Sequence, residues 1–306
     1  MGFWSRFPRS LALQLNCGPK PGTFLPLESS PAPITPAPFL CPPPFRVVDE
    51  HEDWIVVDKP PFMEAHPSKP NGKPTLWDGL RELLAYVIVN GGQVSIINRL
   101  DRETSGLTLV AKKKESARMF CRDMEARHIE KEYLALVWGW PENDAFEVDA
   151  GILRQGDRQF SKIYLKQMIH PEGAPAFTKF RVEKRFTRAT TAGERFALVR
   201  AFPHTGRMHQ IRIHLAHVGH AVVGDKIYGP DESCYLEFIE TGWTPSLARR
   251  LLLPRHALHS ASLAIPYRQM HWESSLPPDL ADWLRSVPGH AELLETGDNA
   301  KQPRNA

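Results

Sequence analysis

Cysteine is scarce in this chain of 306 residues: Cys17, Cys41, Cys121 and Cys234 are the full complement. No two of them form a CxxC pair, which excludes a dense disulfide scaffold and weighs against a zinc knuckle. Reduced thiols are the expected state. No apolar run approaches the roughly 18 residues that a membrane helix needs. The N-terminal stretch around Leu11, Leu13 and Leu15 is too interrupted for a secretory signal. A cytoplasmic location with no membrane partner is therefore expected. Nucleotide-cofactor signatures are missing as well: there is no GxGxxG, and Gly72-Lys73 lacks the upstream glycine of a phosphate loop. HExxH is also absent, so the histidines at 204, 209, 214, 217 and 220 give no metal-ligand spacing. Neither a cofactor nor a metal is expected. A strong charge excess is lacking too: the formal net charge of +3 permits a polyanionic partner without demanding one.

Proline, by contrast, is abundant and unevenly placed. It recurs from Pro19 to Pro44 and ends in Pro42-Pro43-Pro44. Each proline removes an amide donor and fixes φ, so neither a helix nor an inner strand can run through this stretch. Residues 1–44 read as an extended leader. Residues 45–287 read as one catalytic domain, and 288–306 as a polar tail. Within the domain, Arg46–Glu50 and Trp54–Asp58 resemble a hairpin. Thr75–Val89 reads as one helix, with Leu76, Leu80, Leu83, Leu84 and Val87 on a stripe. Ser95–Asp101 reads as strand into loop, and Gly106–Ala111 as a buried strand. Ser116 can cap a helix that carries Ala117, Phe120, Cys121 and Met124. Strands follow at Glu132–Trp138, Ala176–Phe186, Phe196–Ala201, His209–His214 and Ser262–Pro266, with a short helix around Leu280–Leu284. Strands outnumber helices and alternate with them irregularly. That favours an α+β fold with a mixed, largely antiparallel sheet.

Several segments can carry chemistry. In Arg99-Leu100-Asp101-Arg102-Glu103-Thr104-Ser105-Gly106 a carboxylate sits between two arginines at the end of a strand. Guanidinium charge favours the ionised carboxylate, and Thr104-Ser105-Gly106 supplies turn residues. A surface loop with ordinary ion pairs would show the same charge pattern. In Pro203 to His214, Gly206 allows a tight turn before an expected strand. Alternation there puts His209, Ile211 and Ile213 on one face and Gln210, Arg212 and His214 on the other. Arg207 could pair with a carboxylate or hold a phosphate. Tyr133 is either a core residue or a ring that stacks on an extruded base. Basic side chains at Lys112-Lys113-Lys114, Arg118, Arg122 and Arg127 form either a solvated face or phosphate contacts.

Together these segments resemble the RluA-like pseudouridine synthases, from about Phe45 to Leu284 and in that family's order. Val56-Val57-Asp58-Lys59-Pro60-Pro61 is similar to its opening strand and lysine–proline turn. Arg99 to Gly106 matches its signature nearly letter for letter. Lys131 to Val137, Thr205 to Arg212, Gly219 to Gly229 and Arg255 to His259 match further blocks. Asn98 and Met208 depart from the pattern, the first where a histidine is usual. Pro230–Leu253 is a longer segment without assignment, and no basic N-terminal RNA-binding domain is recognisable. The resemblance implies an isomerase that converts uridine to pseudouridine in ribosomal or transfer RNA, without cofactor, as a monomer. It implies Asp101 as the catalytic carboxylate, Tyr133 as a ring that stacks on the flipped uracil and can assist proton removal at C5, and Arg207 as the partner that keeps Asp101 ionised. Leu258 would floor the pocket, and Arg99, Arg102, His209, Gln210 and Arg212 would meet substrate or RNA. Two other classes stay open: an inactive RNA-binding protein on this fold, and a glycoside hydrolase using Asp101 and Glu103.

Overall fold

The computed structural model describes residues 44–67 and 73–285, so the expected leader and tail fall outside the described residues. The first hairpin forms as expected: β1 (Arg46–Glu50) pairs antiparallel with β2 (Trp54–Lys59). The expected helix after Thr75 is split into α1 (Leu76–Leu83) and α2 (Ala85–Val89), with a break at Leu84. Thr75 and Asp78 cap α1 reciprocally: Asp78 N–H donates to Thr75 Oγ1 at 3.3 Å, and Thr75 N–H donates to the Asp78 carboxylate at 2.9 Å. Leu76, Leu80 and Leu84 are buried, whereas Leu83 is exposed, which narrows the expected stripe.

Next come β3 (Ser95–Ile96), β4 (Ser105–Ala111), α3 (Lys114–Glu125) and β5 (Glu130–Trp138). Every residue of β4 is buried, as its unbroken run of small and apolar side chains demands. Ser116 lies inside α3 rather than at its cap, yet its hydroxyl still accepts the Lys113 N–H at 3.2 Å. β6 (Ala145–Asp149), β7 (Ile152–Arg154) and β8 (Gln167–Ile169) have no counterpart in the sequence reading; they are short and only partly buried, so alternation is weak. β9 (Phe177–Thr187) and β10 (Arg195–Pro203) follow close to expectation. After α4, which corrects the sequence reading, the unassigned segment folds into α5 (Ser233–Thr241) and α6 (Pro245–Leu251). The chain then forms β11 (Leu258–Ile265), β12 (Met270–Glu273) and α7 (Pro278–Arg285).

The correction concerns residues 209–214, where a strand was expected and α4 (Gln210–His217) is found. Alternating isoleucines and polar residues suggested a period of two. In the helix, Gln210 to Leu215 are all buried, so no polar face reveals the helical period. Ile211 and Leu215 join the large core under β5 and β10, and Ile213 joins a second cluster with Ile152, Ile227 and Tyr228. His209 precedes the helix in a left-handed conformation at φ 57°, which a non-glycine residue adopts only when its surroundings enforce it. The opposite-face assignment of His209 and His214 is therefore withdrawn.

The sheet has ten strands in the order β1-β2-β4-β11-β5-β10-β9-β6, with β12 added beside β11 and β3 beside β4. All of its pairings are antiparallel except that between β4 and β11. This is the expected mixed, largely antiparallel sheet with flanking helices. Its register places the chemistry. Gly106 pairs with Ser260, Ser260 with Tyr133, and Tyr133 with Ala201, so one row crosses four strands. The Asp101 loop enters the sheet at the head of this row, and the loop that leads to α4 leaves β10 close to its other end. Gly106 has φ +111°, and a Cβ there would come within 2.2 Å of the Ser260 carbonyl oxygen. Gly106→Ala should therefore cost about 3 kcal/mol or more, because the obstacle is backbone. Urea unfolding of the variant beside wild type measures this, and a loss below about 1 kcal/mol would contradict the close approach.

Candidate active site

The segment before β4 is fixed by a buried amide. Asn98 Nδ2 donates to the Leu107 carbonyl at 2.9 Å, and Asn98 Oδ1 accepts the Leu109 N–H at 2.8 Å. The asparagine thus staples the approach to Asp101 onto β4 with both ends of one side chain. Beyond Asp101, Thr104 Oγ1 meets His256 Nε2 at 2.8 Å, and Ser105 Oγ meets His259 Nδ1 at 3.0 Å. Arg255, wholly buried, donates to the Glu103 carbonyl at 3.1 Å and to both carboxylate oxygens of Asp279 on α7. From the first hairpin, the buried Lys59 ammonium donates to the carbonyls of Pro60, Met63 and Arg102. Burial depresses its pKa to about 7, against the opposing pull of Asp101. The Asp101 loop is held by neighbours from β2, β11 and α7.

The carboxylate itself is held by Arg212. Its Nη1 donates to Asp101 Oδ2 at 2.8 Å, while Nε and Nη2 donate to the two oxygens of Asp225 at 2.6 and 2.9 Å. Asp225 is fully buried, whereas the Asp101 side chain keeps 30% of its exposure. Asp225 also accepts the Ile227 and Tyr228 amides at 2.9 and 3.1 Å. Burial by itself would raise the Asp101 pKa; the facing His209, Arg212 and His256 overcome it and hold the group at about 2. Burial also lowers His209 to about 4 and keeps His256 well below its ordinary value. Both imidazoles are consequently neutral at pH 7, and Arg212 is then the cation that keeps Asp101 ionised. His209 Nε2 stands 4.0 Å from Asp101 Oδ2, and its Nδ1 meets the Tyr228 hydroxyl at 2.9 Å.

Asp101, Tyr133 and Arg207 line one cleft of about 770 Å³, together with Arg99, His209, Lys131 and His204. Its inner end adds Gln210, Arg212 and the buried Leu258. The expected ion pair between Arg207 and Asp101 is not present. Arg207 is exposed, and its Nε donates to the Pro175 carbonyl at 3.1 Å. The helical turn at 209–212, which the strand reading missed, swings Arg212 into that position instead. Gln210 is likewise turned inward: it receives the Thr205 hydroxyl and the Arg207 N–H, and it donates to the Phe177 carbonyl and to Thr178 Oγ1. Its polar atoms are engaged in shaping the 205–207 turn. Arg102 has an exposed side chain outside the cleft lining. Glu103 points away from Asp101 to Lys226, whose ammonium it binds at 2.8 and 3.0 Å. A two-carboxylate glycosidase site is therefore not formed. Of the basic run, Lys112 is bonded to Glu50 and Lys113 to Glu52 and Asp53, so these lysines make no open patch. No cluster of three or more metal-binding side chains occurs among the described residues.

The partners that sequence reasoning left without a role are Asp225, Lys226, Tyr228 and His256. Their signal was that they lie in the matched blocks Gly219–Gly229 and Arg255–His259; the structure joins these segments so closely that a Cβ at Gly224 would lie 2.0 Å from the Arg255 carbonyl oxygen.

Asp225→Asn should destabilise the fold by about 3–5 kcal/mol, since it leaves a buried guanidinium underpaired. Asp101→Asn should cost about 1 kcal/mol or less, because Arg212 keeps Asp225. Urea unfolding midpoints of the two variants decide this, and equal losses would refute the division of labour. In acid, two stages are expected. His209 has a folded pKa of about 4 against an ordinary 6.5, so its share of stability is full above pH 6.5 and is lost as pH falls toward 4. Asp101, at about 2 against 3.8, contributes fully above pH 3.8 and loses its share as pH falls toward 2. His209→Gln should remove part of the first stage and also shrink the second, because the protonated imidazole is the foremost charge lowering Asp101, as followed by unfolding across pH.

Comparison with known proteins shows the family and the fold. Residues 53–217, more than half of the chain, match the family described as RNA pseudouridylate synthase. Ribosomal large subunit pseudouridine synthase D of Nitrosomonas europaea is 33% identical over 80% of this chain, and the match spans 65% of that protein. The synthase of the same name from Haemophilus influenzae is 31% identical over 83% of this chain and 74% of its own length. Among solved structures, human RNA pseudouridylate synthase domain containing 1 superposes with a TM-score of 0.57 at 26% identity, covering 78% of this chain and 86% of its own. Human RNA pseudouridylate synthase domain containing 4 gives 0.59 at 23% identity, over 78% of this chain and 92% of its own, a likeness of fold. With the signature around Asp101, Tyr133 and Arg212 on a shared cleft and this match over most of the domain, the chain belongs to the RNA pseudouridine synthases, in their RluA-like branch.

Proposed function

We propose that this protein converts particular uridines of ribosomal RNA to pseudouridine, with Asp101 as the reacting carboxylate. The observation that carries the reading is the Arg212–Asp101 pair at the inner end of an open cleft. An ionised carboxylate, partly exposed and aimed into a space lined by an aromatic ring, suits attack on, or proton removal from, a nucleoside. The naming of relatives as ribosomal large subunit synthases favours ribosomal over transfer RNA.

The target uridine leaves its stack and enters the cleft, at a cost of a few kcal/mol that is smallest in loops. Its uracil lies against Tyr133, which reaches the cleft from the row shared with Gly106 and Ser260. The glycosidic bond at N1 breaks, the uracil turns, and C5 bonds to the ribose carbon; the C5 proton is then released and N1 gains one. No electrons are exchanged with a cofactor. Burial, and the nearby Asp101 charge, push the Tyr133 phenol up to about 12, so it stays protonated at neutral pH. Tyr133 thus offers a stacking face and a neutral hydroxyl. Leu258 closes the floor behind the base, and Arg207 at the exposed rim faces incoming RNA.

Asp101→Asn should abolish pseudouridine formation on a large-subunit ribosomal RNA transcript while RNA affinity changes less than about threefold, a difference under 1 kcal/mol. Tritium release from C5-labelled uridine, beside filter binding, measures both. Retained turnover in the variant would remove Asp101 from the reaction. In cells lacking the gene, one or a few ribosomal pseudouridines should vanish from a transcriptome-wide map.

A further inference from the structure

Buried and half-buried cations in this protein have partners. Lys112 pairs with Glu50, Lys226 with Glu103, Arg212 with Asp225, Arg200 with Glu132 and Glu183, and Arg255 with Asp279. Lys59 is satisfied by three carbonyl oxygens. Lys131 differs. It is only 9% exposed, and its ammonium has Met124 Sδ at 3.7 Å as its hydrogen-bond partner among the described residues. No carboxylate lies within ion-pairing distance of it there. Burying an ammonium without an anion is costly, and burial lowers its pKa. A group kept in this state, facing a cleft, is completed by something that enters the cleft.

Its surroundings point to the sign of that partner. Lys131 lies two residues before Tyr133 on β5, so both project from the same face, about 7 Å apart along the strand. Arg127 and His204 line the same cleft. Arg127 sits in a left-handed turn at φ 60°, its N–H bonded to the Met124 carbonyl at 3.2 Å. The His204 ring lies 5.0 Å from that of Phe177, and Lys179 Nζ lies 5.9 Å from the same Phe177 ring on the other side of the chain. Burial, then the charges of Lys179, Arg127 and Lys131, lower the pKa of His204. Glu125 borders this part of the cleft but forms no ion pair with any of them.

We propose that Lys131, Arg127 and His204 form an anion-holding arm of the cleft that grips the RNA backbone phosphate beside the flipped uridine. The proposal rests on the reading of the protein as acting on RNA and assigns the residues that hold the strand. With a uracil against Tyr133, an adjoining phosphate falls within reach of the Lys131 ammonium, and Arg127 extends the arm outward. Neutral His204 adds a hydrogen bond without adding charge.

The test uses the full chain and a short oligouridine RNA, with affinity measured over a range of KCl concentrations. Lys131→Met keeps the side-chain volume and removes the charge; Arg127→Gln removes an exposed charge. Each should weaken binding and lower the slope of log Kd against log[KCl] by about 0.7, the value for one lost phosphate contact on a single strand. Lys131→Arg should restore the slope. Lys114→Gln, at the opposite end of α3 about 18 Å away, should leave it unchanged. Thermal unfolding of each variant confirms that the fold is kept. Wild-type slopes in both Lys131→Met and Arg127→Gln would overturn the arm, as would an equal loss in Lys114→Gln. Should wild type form no pseudouridine on ribosomal RNA while the slopes change as stated, the reaction assigned above fails and the arm stands.

Discussion

The site depends on one guanidinium shared by two carboxylates. Arg212 spends two of its donor groups on the wholly buried Asp225 and one on Asp101. The first pair fixes the side chain so firmly that the second becomes an aimed charge. Asp225 is in turn fixed by backbone amides at 227 and 228. Asp101 therefore meets a cation whose position is set independently of it. That separation leaves the Asp101 carboxylate able to engage a group in the cleft without loosening the core, the condition for a preorganised electrostatic site.

Around this pair the sheet supplies distance control. The row Gly106–Ser260–Tyr133–Ala201 is fixed by backbone pairing, so the aromatic ring and the loop carrying the carboxylate share one register. A slip of one residue in β5 would send Tyr133 to the opposite face. The Asp101 loop is further tied by Lys59 from the first hairpin and by the adjacent Arg255 and His256, two distant parts of the chain.

Much of this was legible in the amino-acid order. β2, β4, β5, β9, β10 and β11 follow apolar runs whose ends are marked by proline, glycine or charge. The arginine-flanked Asp101 stood out because a carboxylate between guanidiniums is chemically conspicuous. What escaped is equally physical. α4 is enclosed on nearly every side, so its sequence lacks the polar face that reports a helix, and its isoleucines imitate a strand. Misreading those few residues moved Arg212 away from Asp101 and put Arg207 in its place. Asp225 and His256 act through contacts across the sheet, which local pattern cannot reveal. β6, β7 and β8 are short and half-exposed, with little alternation to detect.

The parallel pairing of β4 with β11 joins residues near 105 to residues near 260. A ribosome must therefore deliver most of the domain before that seam can close. Until then the loop bearing the carboxylate has no neighbour on one flank, and the future floor residue Leu258 is still unmade. Competence for chemistry arrives late in synthesis, as a long-range closure rather than a local folding event. The same arrival completes the cleft wall, because β5, which carries Lys131 and Tyr133, has β11 as one of its two sheet neighbours.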